Sequence, residues 1–274
     1  MKSKVKQLFI DQINEWELAR NNYKVLEQVK VKTLSVKGRH YKVQFNPARI
    51  TSSVAKIDLK SIQERKCFLC SANRPAEQKG IPFKENYILL VNPFPIFPQH
   101  LTIPAVEHSP QLIAPRFGDM LDLAQQLDEY IVFYNGPKCG ASAPDHFHFQ
   151  AGNKGFLPIE NDKDWDCAIR IESGNKQEML DRFQQIYDSL PLRPNDIEPM
   201  MNILTWCENG TWTTCLFPRK KHRPACYSAE GDANLLITPG SVEMGGVFIT
   251  SLEKDFEKIT AENIAEILHE IAIS

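Results

Sequence analysis

The chain has 274 residues, with 32 basic and 34 acidic side chains and a formal net charge of −2. A hydrophobic content of 42% against 24% charged residues argues against disorder and is enough for a substantial core. The near-neutral balance argues against a dedicated nucleic-acid binder, which carries a basic excess, and is silent about a small anionic substrate held by local charge. Seven cysteines are an odd set in a long chain, unlike a secreted disulfide framework. Asp11, Asn14, Glu15 and Glu17 interrupt any apolar leader segment, and no run approaches the roughly 20 apolar residues of a membrane span. The expectation is a soluble, reduced, cytoplasmic protein with neither nucleic-acid nor membrane partners.

In chain order, Val5, Leu8, Phe9, Ile13 and Trp16 lie on one stripe of an opening amphipathic helix. Residues 29–32 and 41–45 alternate apolar and polar side chains, as half-buried strands do, and residues 87–91 and 101–103 read as two more strands around a proline-rich segment. A helix is predicted over 110–130 and a buried strand over 131–134. Phe147 and Phe149 alternate with His148 and Gln150 on a further strand. Met179, Leu180, Phe183, Tyr187 and Leu190 mark a helix, and residues 201–206 and 212–217 form a hairpin around Asn209-Gly210. Residues 235–238 and 247–249 suggest strands, and Thr260 caps a last helix carrying Ile264, Ile267, Leu268 and Ile271. Both halves mix antiparallel strands with helices, so the class is α+β. The stretch 154–176 is the least committed, which places two domains at 1–160 and 161–274.

The chemistry concentrates in residues 134–152, YNGPKCGASAPDHFHFQAG. Asn135-Gly136-Pro137 and residues 139–144 are small-residue turns in which backbone N–H groups can approach an anion. Lys138 and Ser142 are phosphate contacts by type. On a strand, His146, His148 and Gln150 share one face and the two phenylalanines the other. A solvated polar face is the bland alternative; the Gly/Ser loop directly before it favours a functional site. Cys67 and Cys70 form a CxxC with three readings: a redox pair, half a zinc site, or two core thiols. Glu64-Arg65-Lys66 do not make the buried strand that precedes a thioredoxin-like pair, and a zinc site needs two more N or S ligands.

The order Asn135, Gly140-x-Ser142, His146-x-His148-x-Gln150 resembles the active-site strand of the histidine-triad superfamily in its transferase branch. That branch holds galactose-1-phosphate uridylyltransferase, diadenosine tetraphosphate phosphorylase and the GDP-hexose phosphorylases. The resemblance implies an antiparallel sheet with helices, arranged as two related halves. It makes His148 the nucleophile that forms a covalent nucleotidyl-histidine, with Gln150 bonding the phosphoryl oxygens; Gln150 stands where hydrolases carry a third histidine, which favours transfer over hydrolysis. Asn135, Lys138, Gly140 and Ser142 would hold the remaining phosphates. The same likeness implies a structural zinc on Cys67, Cys70, His108 and His146, with His100 competing for the place of His108, and no organic cofactor.

Residues 217–224, FPRKKHRP, pack five basic or imidazole groups behind a strand, and Leu216 to Arg219 resembles a segment of the GDP-hexose phosphorylases. Arg219 and Lys221 therefore join the expected phosphate contacts. Trp206, Trp212, Phe94 and Phe97 could stack a base, but aromatics at such places usually belong to the core. The leading expectation is a nucleotidyltransferase or phosphorylase. It takes a nucleoside monophosphate from a dinucleoside polyphosphate or nucleotide sugar and gives it to phosphate or a sugar phosphate; relatives often work as homodimers. The alternatives are a non-catalytic nucleotide-binding protein and a nucleotide hydrolase.

Overall fold

The computed structural model describes residues 1–50, 54 and 58–273. The chain runs α1 (Lys2–Glu15), α2 (Glu17–Leu26), β1 (Lys30–Val36), β2 (Arg39–Phe45), α3 (Leu59–Glu64), β3 (Gly80–Phe83), β4 (Tyr87–Val91), β5 (His100–Pro104) and α4 (Phe117–Gln126). It continues through β6 (Tyr130–Asn135), β7 (His148–Asn153), β8 (Ile169–Ser173), α5 (Lys176–Ser189), β9 (Met201–Glu208) and β10 (Thr211–Pro218). The last elements are α6 (Ser241–Met244), β11 (Val247–Thr250), α7 (Glu253–Lys258) and α8 (Ala261–Ile271). Eight strands form one antiparallel sheet in the order β3-β4-β5-β7-β6-β9-β10-β8. It is continuous across residue 160, because β6 pairs with β9. A second sheet joins β1, β2 and β11, the last parallel to β2.

Strand alternation decides what each face covers. Tyr130, Val132 and Tyr134 of β6 and Phe149 and Ala151 of β7 face a core built with α1, α2, α4 and α5. Ile131 and Phe133 point the other way, into a core shared with the small sheet and α8. The layers are thus helices, the large sheet, then the small sheet with its own helices, the α+β class expected. The β1–β2 and β9–β10 hairpins close through two-residue turns with positive φ at each position: Lys37 and Gly38 (49° and 82°), and Asn209 and Gly210 (49° and 80°).

Three local expectations are corrected. The first helix breaks at Trp16, which is extended (φ −110°, ψ 104°) and buries its ring, so α2 starts anew at Glu17. The helix expected over 110–130 is confined to α4. Before it, Pro110 and Pro115 interrupt helical bonding, and the Gln111 and Ile113 amides are committed to the Pro144 carbonyl and the Glu198 carboxylate. Residues 235–238 are buried in part but join no ladder: the Leu235 N–H goes to the Cys226 carbonyl and the Leu236 N–H to Asp255. Among the elements not foreseen are α3, β3 and β8.

Gly152 of β7 lies under the Phe97 ring, which a Cβ at that position would meet at 2.2 Å. That ring also packs on Phe133 and Phe156, so it has little room to yield. Gly152→Ala is expected to lower stability by about 1–3 kcal/mol through overpacking, read as a lower denaturant midpoint at unchanged slope.

Candidate active site

A cavity of about 670 Å³ opens between the large sheet and the segments facing it. The large sheet contributes Leu90, Thr102, Phe133, Asn135, His148 and Gln150, and the other side contributes Arg49, Gly240, Ser241, Glu243 and Ile249. Trp16, Arg65, Phe68, Phe94, Gly140 and Ser142 also line it. Of the aromatics considered for a base, Phe94 reaches this cavity, whereas Trp206, Trp212 and Phe97 are core.

His148 is buried, and its Nδ1 lies 2.9 Å from the His146 carbonyl oxygen. A carbonyl only accepts, so Nδ1 carries the proton and Nε2 keeps its lone pair. Burial holds this ring down at about 4, so it is neutral at pH 7. Gln150 is oriented by a second histidine. The Ile96 N–H donates to His100 Nδ1 (3.2 Å), which places the His100 proton on Nε2, 3.0 Å from Gln150 Oε1. Burial, with Arg49 nearby, pushes His100 down to about 3, and the pair is uncharged. With Oε1 accepting from His100, Gln150 presents its amide nitrogen as the donor end.

The Asn135 loop is fixed from the C-terminal half of the chain. Asn135 Oδ1 accepts from the Ser241 N–H (2.7 Å), the Ser241 hydroxyl (2.8 Å) and Asn202 Nδ2 (2.9 Å). Asn202 Nδ2 also donates to the Cys139 carbonyl at 2.7 Å. Gly140 has φ +95°, and a Cβ there would stand 2.9 Å from Gly240 Cα, so the two loops pack backbone against backbone.

The expected cations are placed differently. Arg219 is buried beneath the loop, donating to Asn202 Oδ1 and to the carbonyls of Pro239, Lys221 and His222. Lys138 pairs with Asp196, and Lys221 with Glu270 at 2.8 Å. None of these three lines the cavity; Arg49 and Arg65 do. Sequence reasoning passed over both arginines, and also His100 as a partner of Gln150, Asn202 and Ser241. Asn202 did leave a signal, a polar residue on the same strand face as Leu204 and Trp206.

Cys67, Cys70, His108 and His146 come together, with their ligand atoms all within 4.8 Å of one another. Sulfur to Nδ1 separations are 3.3 Å for Cys67–His146, 3.5 Å for Cys70–His146 and 3.2 Å for Cys70–His108. Each histidine turns its other nitrogen outward: His146 Nε2 to the Ala105 carbonyl (2.8 Å), His108 Nε2 to Asp145 (3.7 Å). Arg65 holds the same Asp145. Burial alone would raise the Cys67 thiol; the bond from His146 and the N–H groups of Leu69 and Cys70 outweigh it and bring the thiol down to about 6. His100, engaged with Gln150, is outside this cluster.

The fold is α+β, one large antiparallel sheet layered with helices and a smaller sheet. The chain belongs to the DUF4922 family, described as a domain of unknown function, whose model matches residues 8–153. Among solved structures the chain is similar to yeast Ap4A phosphorylase Apa2. In complex with Ap4A that enzyme matches with a TM-score of 0.64 at 18% identity, over 98% of this chain and 97% of the other. Its free form gives 0.60 at 17% identity, over 93% and 96%, and its AMP complex 0.57 at 17%, over 95% and 97%. No curated protein matches by sequence.

A buried carboxylate fastens the segment before α4 to β6. Glu198 accepts from the Ile113 N–H at 2.9 Å and from the Tyr134 hydroxyl. Burial raises it from 4.5 to about 7. Between those values the folded protein binds the proton that the unfolded chain has released, so this group's contribution is full below pH 4.5 and is lost as pH rises through 7. The loss is about 3 kcal/mol. Unfolding free energies of wild type should therefore fall across this window relative to Glu198→Gln, measured by denaturant titration at a series of pH values.

Proposed function

We propose that the protein is a nucleotidyl-transferring phosphorylase acting through His148. The observation that carries this reading is the fixed protonation of the site: a neutral His148 whose Nδ1 is tied back to the His146 carbonyl, beside a Gln150 presenting amide donors. Its fold likeness to Ap4A phosphorylase, along nearly the whole of both chains, supports the same reading.

The donor is a dinucleoside polyphosphate or a nucleotide sugar. His148 Nε2 gives its lone pair to the α-phosphorus, the N–P bond forms, and the bond to the bridging oxygen breaks, releasing a nucleoside polyphosphate from a dinucleoside polyphosphate or a sugar phosphate from a nucleotide sugar. The Gln150 amide and the Asn135–Ser142 loop bond the non-bridging oxygens, strongest as charge builds on them. Inorganic phosphate then attacks the same phosphorus, the N–P bond breaks, and a nucleoside diphosphate leaves while His148 returns to its starting state. Gln150 has no proton to give to or take from water, which suits transfer to an anionic acceptor.

Cys67, Cys70, His108 and His146 fit a structural zinc ion. Two sulfurs and two nitrogens at these separations match the roughly 3.5 Å edges of a tetrahedral site, and the carbonyl and carboxylate behind the two imidazoles are the partners such ligands use. Bound there, zinc neutralises the thiolates and fixes the CxxC loop to the residues leading into β7.

Incubation with α-³²P-labelled dinucleoside polyphosphate should leave acid-labile label on wild type and none on His148→Asn, with turnover down by about 10,000-fold or more. Nucleoside diphosphate should be released only when phosphate is added. Absence of label with every donor tried would refute the covalent route. Elemental analysis is expected to find about one zinc per chain in wild type and markedly less in Cys67→Ser; equal content in the two would remove the metal assignment.

A further inference from the structure

The ladder between β6 and β7 pairs Tyr130 with Asn153 and continues to Phe133 with Gln150. Two positions further in that register, past Tyr134 and Phe149, Asn135 would stand opposite His148, and both residues line the cavity. They do not bond directly. The side chain of Gln111 stands between them: its Oε1 accepts the His148 N–H (2.8 Å), while its Nε2 donates to the His148 carbonyl (2.9 Å) and the Asn135 carbonyl (3.0 Å). Gln111 is wholly buried, and its own N–H is held by the Pro144 carbonyl at 3.1 Å.

We infer that Gln111 is the positioning residue of the nucleophile, a side-chain amide set into the sheet in place of a peptide. The amide has the donors and acceptor of a peptide group, so it satisfies the nucleophile's buried backbone without a neighbouring strand. It also has width. Inserted between β6 and β7, it spreads Asn135 from His148 and leaves the space into which a phosphoryl group fits. Because it grips both polar groups of the His148 backbone, it fixes where the imidazole starts from, and the Nδ1 bond to the His146 carbonyl then fixes its tilt. Gln111 touches neither donor nor acceptor; its effect on the reaction runs through His148 alone.

This inference rests on the proposed role of His148, and its test separates the two. Gln111→Met keeps the volume and removes all three bonds; Gln111→Asn keeps the amide but is one methylene too short to hold both strands. Formation of the labelled His148 adduct is followed in single turnovers for wild type and both variants. Donor affinity, zinc content, and the ¹⁵N shifts of the His148 ring are measured alongside. The expected result is adduct formation slowed by about 100-fold or more in Gln111→Met and by less in Gln111→Asn. Donor affinity should change within about threefold, and the His148 ring shifts should move toward a mixture of tautomers. Folded variants with wild-type rates and ring shifts would overturn the inference. So would loss of fold in both variants, which would make the residue purely structural. No adduct even in wild type would instead refute the covalent reading, while the ring shifts still report whether Gln111 orients His148.

Discussion

A strand buried on both faces that must still carry polar side chains is the constraint on which the rest of this protein depends. β7 packs its phenylalanines into one core and turns His148 and Gln150 toward a cavity closed by a second sheet. Polar groups set this deep need defined partners. Those partners in turn settle the protonation: a carbonyl for the His148 Nδ1–H, and a neutral His100 for the Gln150 oxygen. The requirement to satisfy buried groups thereby produces one uncharged imidazole with a free Nε2 and one uncharged amide donor at neutral pH. Just before β7, His146 joins the CxxC cluster and shares Cys70 with His108.

The parts legible in the sequence are those that local periodicity or local motif encodes. The two-residue alternation of residues 146–150 gave the face on which the imidazoles sit, and Asn209-Gly210 gave a hairpin whose turn residues have the positive φ that such a turn requires. The CxxC and two histidines were read as one cluster through resemblance, and the fold brings the four together. The cations were the least legible. A run of basic residues says that charge is present but not which way it points. In the fold, Lys138 and Lys221 meet carboxylates, while Arg219 turns inward to hold loops. Arg49, with no motif around it, and Arg65, just before the CxxC, line the cavity instead.

The partners of the site residues were out of reach for a different reason. His100 bonds Gln150 across 50 residues, Asn202 reaches Asn135 across 67, and Ser241 does so across 106. Such pairs exist only once the strand order is known, and no local pattern specifies that β7 lies between β5 and β6 or that β9 follows β6. The broken helix at Trp16 belongs to the same category. Helical spacing was present, but burial of one indole against the cavity outweighed the continuity of the helix.

The small sheet ties early and late parts of the chain together. β1 and β2 form a hairpin that is complete once residue 45 is made, yet its third strand, β11, starts at Val247, roughly two hundred residues later. At translation rates of about 5–20 residues per second, that strand emerges roughly 10–40 s after the hairpin. Until then the β2 edge lacks its partner, and the Asn135 loop lacks Ser241. β7 is thus finished well before the wall that faces it. A nascent chain carries His148 in an open groove, and the cavity takes its final form only when residues 238–249 dock.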